Sequence, residues 1–431
     1  MKYLIESYGC QLNMAEANAI ELLLQGRGIE KTEKPEDADA VILNTCSVRK
    51  TAENRIWGRL GFYSAVKKKR KQTLIVTGCM AERLHEGLKD DAPYVDYVVG
   101  TNDKSSIPDL IIGQHPLDKD KYTFLSSYYK EGEFSSYVPI MNGCNNFCSY
   151  CIVPYVRGRE VSRPVESILE EIRELDKKGV REICLLGQNV NSYHSELEGK
   201  EVDFPDLLTL IMPLLDNIQW VRFESPHPKD FSDKLIDVIA TNDRVAKHIH
   251  LPMQAGSTRI LELMNRKTTR EKFIALVDAM RERIPGVTFA TDVMTGFPSE
   301  TEEEYEETLS MMEIMNCTEA FMYYFNPREG TRAYDMPEQI DESIKIKRLE
   351  RLIAEQIDRQ KVIKNKMLPF KTKVLVTGIS RDEDDRVLCR SEHNDYFSIE
   401  SDVKHNPGDI IYIEATELNG NTFRGKEVGR L

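Results

Sequence analysis

No run of apolar residues in the 431-residue sequence approaches the roughly 20 that a membrane-spanning helix needs. The start, Met1-Lys2-Tyr3-Leu4-Ile5-Glu6, meets an acid before a signal-like apolar region can form. A cytoplasmic protein with no membrane association is therefore expected. An excess of positive charge is also missing: 58 Lys and Arg stand against 71 Asp and Glu, a net charge of -13. That argues against an indiscriminate nucleic-acid binder, which usually shows a basic domain, and leaves room for a local RNA footprint. Nor is there an even set of cysteines. Nine of them, at 10, 46, 79, 144, 148, 151, 184, 317 and 389, argue against a disulfide framework for a cytoplasmic chain and favour metal binding, catalysis or core packing.

What is present is β/α alternation. To about residue 117, one local pattern occurs three times: a β-prone run that ends on a cysteine and passes into a helix or turn. The runs are Lys2–Tyr8 before Cys10, Ala40–Asn44 before Cys46 and Thr73–Thr77 before Cys79. An amphipathic helix from Ala15 to Leu24 follows Cys10, with Gly26 and Gly28 placed to close it. Strands that alternate with helices predict an open parallel α/β sheet, whose ligands gather beyond the strands' carboxyl ends. A lone cysteine is usually a core thiol; three at three strand ends point to a shared metal cluster.

Residues 118–136 are polar and irregular and read as a linker. Six candidate strands follow, at Tyr137–Met141, Glu182–Leu186, Trp220–Glu224, His248–Leu251, Val287–Val293 and Ala320–Phe325, separated by helical segments such as Val165–Lys177 and Phe231–Ala240. Six units predict a partial (β/α)6 barrel over 137–367 with its chemistry at the strand carboxyl ends. A charged helix over 339–367, with Ile346, Leu349, Ile353 and Ile357 as its packing face, is expected to dock on that barrel until Pro369 stops it. Residues 368–431 hold short alternating β runs that fit a small β-barrel.

Cys144-Asn145-Asn146-Phe147-Cys148-Ser149-Tyr150-Cys151 follows directly on the first strand of this second section. Zinc sites more often pair C-x2-C units and want four protein ligands. Three thiolates on one loop instead suit a 4Fe–4S cubane with one iron left open. An open iron can chelate S-adenosylmethionine and split its sulfonium, chemistry that belongs to the cofactor.

The flanked motif Gly143 to Glu160, with Tyr8-Gly9-Cys10-Gln11-Leu12-Asn13, Asn44-Thr45-Cys46-Ser47-Val48-Arg49 and Thr77-Gly78-Cys79-Met80-Ala81, resembles the methylthiotransferase family of radical S-adenosylmethionine enzymes over nearly the whole chain. Gly187-Gln188-Asn189-Val190-Asn191-Ser192-Tyr193 and Ser225-Pro226-His227-Pro228-Lys229-Asp230 resemble its MiaB-type transfer-RNA branch. The resemblance implies a methylthiotransferase N-terminal domain (1–117), a radical core with its connecting helix (137–367) and a C-terminal TRAM domain (368–431). It implies two 4Fe–4S clusters: an auxiliary one on Cys10, Cys46 and Cys79, and the radical-generating one on Cys144, Cys148 and Cys151. It also implies methylthiolation at C2 of N(6)-dimethylallyl adenosine beside the anticodon, with S-adenosylmethionine supplying both methyl group and radical. Expected partners are the tRNA anticodon loop, a reductant such as flavodoxin or ferredoxin, and a sulfur or cluster donor; a monomer is expected. Threonylcarbamoyl adenosine and a ribosomal-protein aspartate are the competing substrates, and a zinc-stabilised RNA-binding protein is the non-enzymatic alternative.

Polar residues at strand ends, Gln188, Asn189, Glu224, Ser225, Gln254 and Asp292, are candidates for S-adenosylmethionine or the target base, and Arg266 for the cofactor carboxylate. A capping or solvated role is about as common for each alone. Arg157, Arg159 and Arg163 suit RNA phosphate, the cofactor or solvent. Lys67-Lys68-Lys69-Arg70-Lys71 reads as a solvated turn. Ser299 with Glu302 reads as a capping box. Cys184, Cys317 and Cys389 are assigned to core or surface. Tyr396, Phe397 and Phe423 are available for stacking on bases.

Overall fold

The computed structural model describes residues 1–47, 50–114, 122–125, 129, 132–380 and 386–430. Residues 118–121, 126–128 and 130–131 of the expected linker lie outside the described residues, as do Val48 and Arg49 of the second cysteine motif.

The N-terminal section is a five-stranded parallel sheet. Its spatial order is Glu30–Lys31, Lys2–Ser7, Ala40–Thr45, Thr73–Gly78, Tyr97–Val99. The middle strands are wholly or almost wholly buried, as the Val/Ile/Leu runs of a doubly covered parallel sheet require. The first helix is longer than expected, Gln11–Gly26, and begins directly on Cys10. Gly26 ends inside it, and Gly28 takes the left-handed turn beyond it, at φ +72°.

Six parallel strands make the core: Ser135–Pro139, Glu182–Leu186, Trp220–Phe223, His248–His250, Thr288–Thr295 and Glu319–Tyr324. They form two three-stranded sheets joined by a parallel bridge between Val221 and Val245. Spatial order therefore follows chain order around an open half barrel. The first strand starts earlier than expected and ends at Pro139; Met141–Asn142 turns aside to pair with Val161–Ser162.

Strand alternation decides what faces where. Ile183 and Leu185 join the helix-side core, whereas Cys184 and Leu186 point the other way, with Tyr137, onto Leu12 and Ala15 of the N-terminal helix. That helix thus covers the lumen side of the first two strands.

Five strands, Phe370–Ile379, Arg386–Ser391, Tyr396–Glu400, Ile410–Asn419 and Thr422–Arg430, close a small barrel at the C-terminus. Phe397 and Phe423 are not available to bases. They are buried and stacked on each other at 5.4 Å, because their positions in the alternation point inward; Tyr396, one residue away, points outward and is 51% exposed. The turn after Ser391 docks on the amino-end mouth of the half barrel. Arg222 donates to the carbonyls of Ser391 and Glu392, both at 2.7 Å. Asn394 donates to Glu319 at 3.0 Å, and Arg390 pairs with Glu182.

Two further expectations shift. The long helix runs Glu342–Met367, and its buried positions are Lys345, Arg348, Leu352, Gln356 and Lys364, while Ile346 and Ile357 are exposed. Polar side chains take the packing face because each finds a partner: Arg348 pairs with Glu300 at 2.8 Å, and Gln356 donates to the Cys317 carbonyl at 3.0 Å. The capping box sits two residues on, where Thr301 and Glu304 satisfy each other's backbone N–H, because Ser299 is held at φ +65° and not in the extended backbone an N-cap adopts.

If this face docks, Leu352→Ala lowers stability by about 2–5 kcal/mol, whereas Ile357→Ala stays within about 0.5 kcal/mol. Thermal unfolding of the two variants checks it; equal losses would place the docking face wrongly.

Candidate active site

All three N-terminal cysteines sit at the carboxyl edge of the first sheet. Cys10 caps the N-terminal helix, and Cys79 opens the helix Cys79–Leu84, where burial pushes its thiol pKa up. Cys46 follows the strand Ala40–Thr45 directly and is buried. Gly9 turns at φ +117°, and a Cβ there would lie 2.5 Å from that of Cys46, so only glycine lets the two cysteine loops meet. Asn13 ties the first loop to the second, donating to the carbonyls of Tyr8 at 2.8 Å and Thr45 at 2.9 Å. The Thr45 hydroxyl ties the second to the third, donating to the Thr77 carbonyl at 2.6 Å.

The second set lies on the loop that leaves the first core strand. Gly143 is again at positive φ, and a side chain there would run into the Arg159 carbonyl. The turn at 263–265 pins the loop: Ser149 donates to the carbonyls of Met264 and Leu263 at 2.9 and 2.8 Å, and Asn265 donates to those of Asn146 and Phe147, both at 3.0 Å. Burial pushes the Cys144 thiol up to about 11, with Glu160 and Cys148 adding to it. Burial and the neighbouring Cys148 push Cys151 up to about 12. Such crowded thiols ionise together only against a cation, which is how binding of iron displaces their protons.

Unsatisfied buried polar atoms surround this loop. Arg266 stands 3.7 Å from the Cys148 sulfur and donates to the Pro252 carbonyl at 2.9 Å, yet its Nε has no partner. Asn189 donates to Asp230 at 2.9 Å and Glu160 at 3.4 Å, leaving its Oδ1 unpaired, as is Oε1 of Gln188. His227 accepts from Lys229 N at 3.2 Å through Nδ1, and burial holds its pKa down to about 2, with Arg266 contributing; its Nε2 is unpaired. A polar ligand such as S-adenosylmethionine fits a wall of this kind.

On the fourth core strand, His250 stands between two predicted residues. Its Nδ1 is hydrogen-bonded to Glu224 at 2.9 Å, and its Nε2 is 2.8 Å from an Asp292 oxygen, an ion-pair contact outside hydrogen-bond geometry. Burial alone would lower its pKa, but the two carboxylates outweigh it and raise the ring to about 10. Gln254 accepts from the Tyr323 hydroxyl at 3.2 Å. Ser225 contributes a left-handed turn at φ +60°, with no side-chain hydrogen bond to the other candidates. The structure therefore joins Glu224 with Asp292, and Arg266 with Cys148.

Arg157 and Arg163 are neither solvated nor open to RNA phosphate. Arg163 is buried against Ser167 and Glu171. Arg157 reaches into the N-terminal section, donating to Glu16 at 2.8 Å and Asn13 at 2.9 Å. Arg159 stays exposed over the Phe147 ring. In the basic run, Lys67 and Arg70 pair with Asp96 and Asp39. Cys184, Cys317 and Cys389 are buried. His250, Glu160, Glu16 and Lys104 were missed by the sequence reading; only His250 left a trace there, since His248-Ile249-His250 puts two imidazoles on one strand face.

Among the described residues, no three His, Cys, Asp or Glu side chains stand close enough to share one metal ion. A parallel half barrel with a three-cysteine loop off its first strand defines the radical S-adenosylmethionine class of enzyme.

Residues 138–312 match the Radical SAM superfamily, and residues 2–100 match the uncharacterized protein family UPF0004. The sequence is 45% identical over 450 residues, 98% of this chain and 99% of the relative, to the tRNA-2-methylthio-N(6)-dimethylallyladenosine synthase of Treponema denticola. It is 43% identical over 440 residues, 99% of this chain and 96% of the relative, to the Bacteroides fragilis protein of that name. In fold it is similar to the radical S-adenosylmethionine methyltransferase TsrM of Kitasatospora setae, with a TM-score of 0.56 and 14% identity over 77% of each chain. It is also similar to the cobalamin-dependent radical enzyme OxsB, with a TM-score of 0.51 and 11% identity over 84% of this chain and 56% of that one. The chain belongs to the family of tRNA-2-methylthio-N(6)-dimethylallyladenosine synthases.

His250 carries a testable consequence. A folded pKa raised from 6.5 to about 10 makes its contribution to stability complete below about pH 6.5 and lost as pH rises toward 10. Nitrogen-15 spectra of histidine-labelled protein should show both ring nitrogens protonated at about pH 8; a neutral ring there would refute the bridge.

Proposed function

We propose that this chain converts N(6)-dimethylallyl adenosine beside the tRNA anticodon to its 2-methylthio derivative. The observation that supports the reading is a contact between the segments that carry the two sets of cysteines. Cys79 packs on Ile152 and Val156, one and five residues past Cys151, so the carboxyl edge of the first sheet touches the chain that leaves the three-cysteine loop.

In this reading Cys144, Cys148 and Cys151 hold the radical-generating 4Fe–4S cluster, and Cys10, Cys46 and Cys79 hold the auxiliary one. When bound, the first cluster supplies the electron that cleaves the S-adenosylmethionine sulfonium. Arg266, whose Nη1 stands beside Cys148 while its Nε is unpaired, takes the cofactor carboxylate. Gln188, Asn189, Gln254 and Ser225 line the approach, and the His250 bridge fixes the Glu224 and Asp292 carboxylates for ribose hydroxyls or the base's amino group. The N-terminal helix and the docked C-terminal turn exclude water from the lumen.

Residues 1–117, 137–367 and 368–431 act as methylthiotransferase, radical and TRAM domains, with 118–136 between them. The protein works in the cytoplasm as a monomer, reduced by a flavodoxin or ferredoxin and supplied by a sulfur or cluster donor. Tyr396, outward on the barrel, is a TRAM aromatic free to stack on the anticodon loop.

Nucleoside mass spectrometry of tRNA from a deletion strain tests the substrate. The 2-methylthio derivative should vanish and dimethylallyl adenosine accumulate. Loss confined to the threonylcarbamoyl derivative, or to a ribosomal-protein modification, would assign another branch. Anaerobically purified protein should contain iron and acid-labile sulfide; zinc without sulfide would end the enzyme reading. Cys148→Ala should abolish deoxyadenosine formation, while Cys10→Ala should retain it and lose methylthio product.

A further inference from the structure

Beside the N-terminal triad lies a buried charge cluster that the reaction as outlined leaves unused. Arg157 and Lys104 both reach Glu16, and the side chains of all three are 2–3% exposed. Arg157 spans both Glu16 oxygens, at 2.8 and 3.1 Å, and donates to Asn13 and Asn142, each at 2.9 Å. Lys104 also donates to Asn44 at 3.3 Å, and the Tyr122 hydroxyl donates to Glu16 at 3.2 Å.

Two cations face one carboxylate, so the cluster carries one buried positive charge in surplus. A surplus of that kind is costly unless an anion stands nearby. The cluster lies against the loops that carry the cysteines. Asn13, which accepts from Arg157, itself donates to the Tyr8 and Thr45 carbonyls beside Cys10 and Cys46. Asn44, which accepts from Lys104, stands two residues before Cys46, and Val156, next to Arg157, packs on Cys79. An oxidised cubane on three thiolates has one net negative charge and gains a second when reduced, and cluster potentials follow the charge around them.

We infer that Arg157 and Lys104, balanced by Glu16, are the counter-charge of the auxiliary cluster and set its reduction potential. The inference rests on the assignment of Cys10, Cys46 and Cys79 made above. Arg157 is a positioning residue in this role, touching neither substrate nor cysteine. It is also six residues past Cys151, so the chain that holds the radical cluster delivers the charge that tunes the other.

The test uses the full chain with Cys144, Cys148 and Cys151 changed to Ala, so that only the auxiliary cluster is built from iron and sulfide. Iron and sulfide content, electron paramagnetic resonance of the reduced form and the midpoint potential are measured in four further variants. Arg157→Gln and Lys104→Gln, which remove positive charge, should shift the potential down. Glu16→Gln, which removes negative charge, should shift it up. Arg157→Lys should stay near the parent. Opposite signs are the readout that a merely structural role would not give; shifts of one sign, or none with the cluster intact, overturn the inference. A parent that assembles no cluster overturns the cysteine assignment itself, and the inference falls with it. Should Arg157→Gln fail to fold, Lys104→Gln and Glu16→Gln carry the same comparison.

Discussion

A guanidinium taken out of water costs several kcal/mol unless its donors are met, and Arg157 meets its own across a large sequence distance. Its partners Glu16 and Asn13 belong to the helix that starts at Cys10. Leu12 and Ala15 of the same helix lie on Cys184 and Leu186 of the half barrel. One short stretch therefore places the first cysteine, covers the lumen and pairs the arginine. Buried pairs of this kind are weak sources of stability, and what they give is register. A helix turned by one residue would leave Arg157 unmet and swing Cys10 away from Cys46.

Parallel sheets leave their useful ends open, because each strand delivers a loop at its carboxyl edge. One such edge touches the chain that leaves the three-cysteine loop, through the contact of Cys79 with Ile152 and Val156. The other mouth of the half barrel is occupied: the C-terminal barrel fills it with backbone carbonyls held by Arg222. The unsatisfied atoms of Gln188, Asn189, His227 and Arg266 come from the loops beyond strands two to four, the carboxyl-end side where the cysteine loop lies.

Strand ends and cysteines were legible in the sequence because apolar runs, turn residues and thiols all vary along the chain, with no need of tertiary knowledge. Packing faces were less so. The long helix was read by its isoleucines, but Arg348 and Gln356 bury themselves through partners distant in sequence, which periodicity cannot display. Phe397 and Tyr396 differ by one step of alternation, and barrel closure decides which of them points inward. Arg157 looked like a surface cation because its anion lies 141 positions away. The His250 bridge was invisible for a related reason: its imidazole, Glu224 and Asp292 sit on three different strands or strand ends, and only the curvature of the half barrel gathers them.

Closure on two sides also bears on what substrate the site admits. With the N-terminal helix over one flank and the barrel turn in the amino-end mouth, a polynucleotide reaches the lumen through the carboxyl end, where the cysteine loops stand. A base in a duplex would first have to be unpaired and unstacked at a cost of a few kcal/mol. A base in a single-stranded loop is already free to be splayed out and held by its edges. An adenosine beside an anticodon meets that condition, so an acidic chain can act on RNA without a broad basic face. It needs to hold only one nucleotide at the mouth of the lumen.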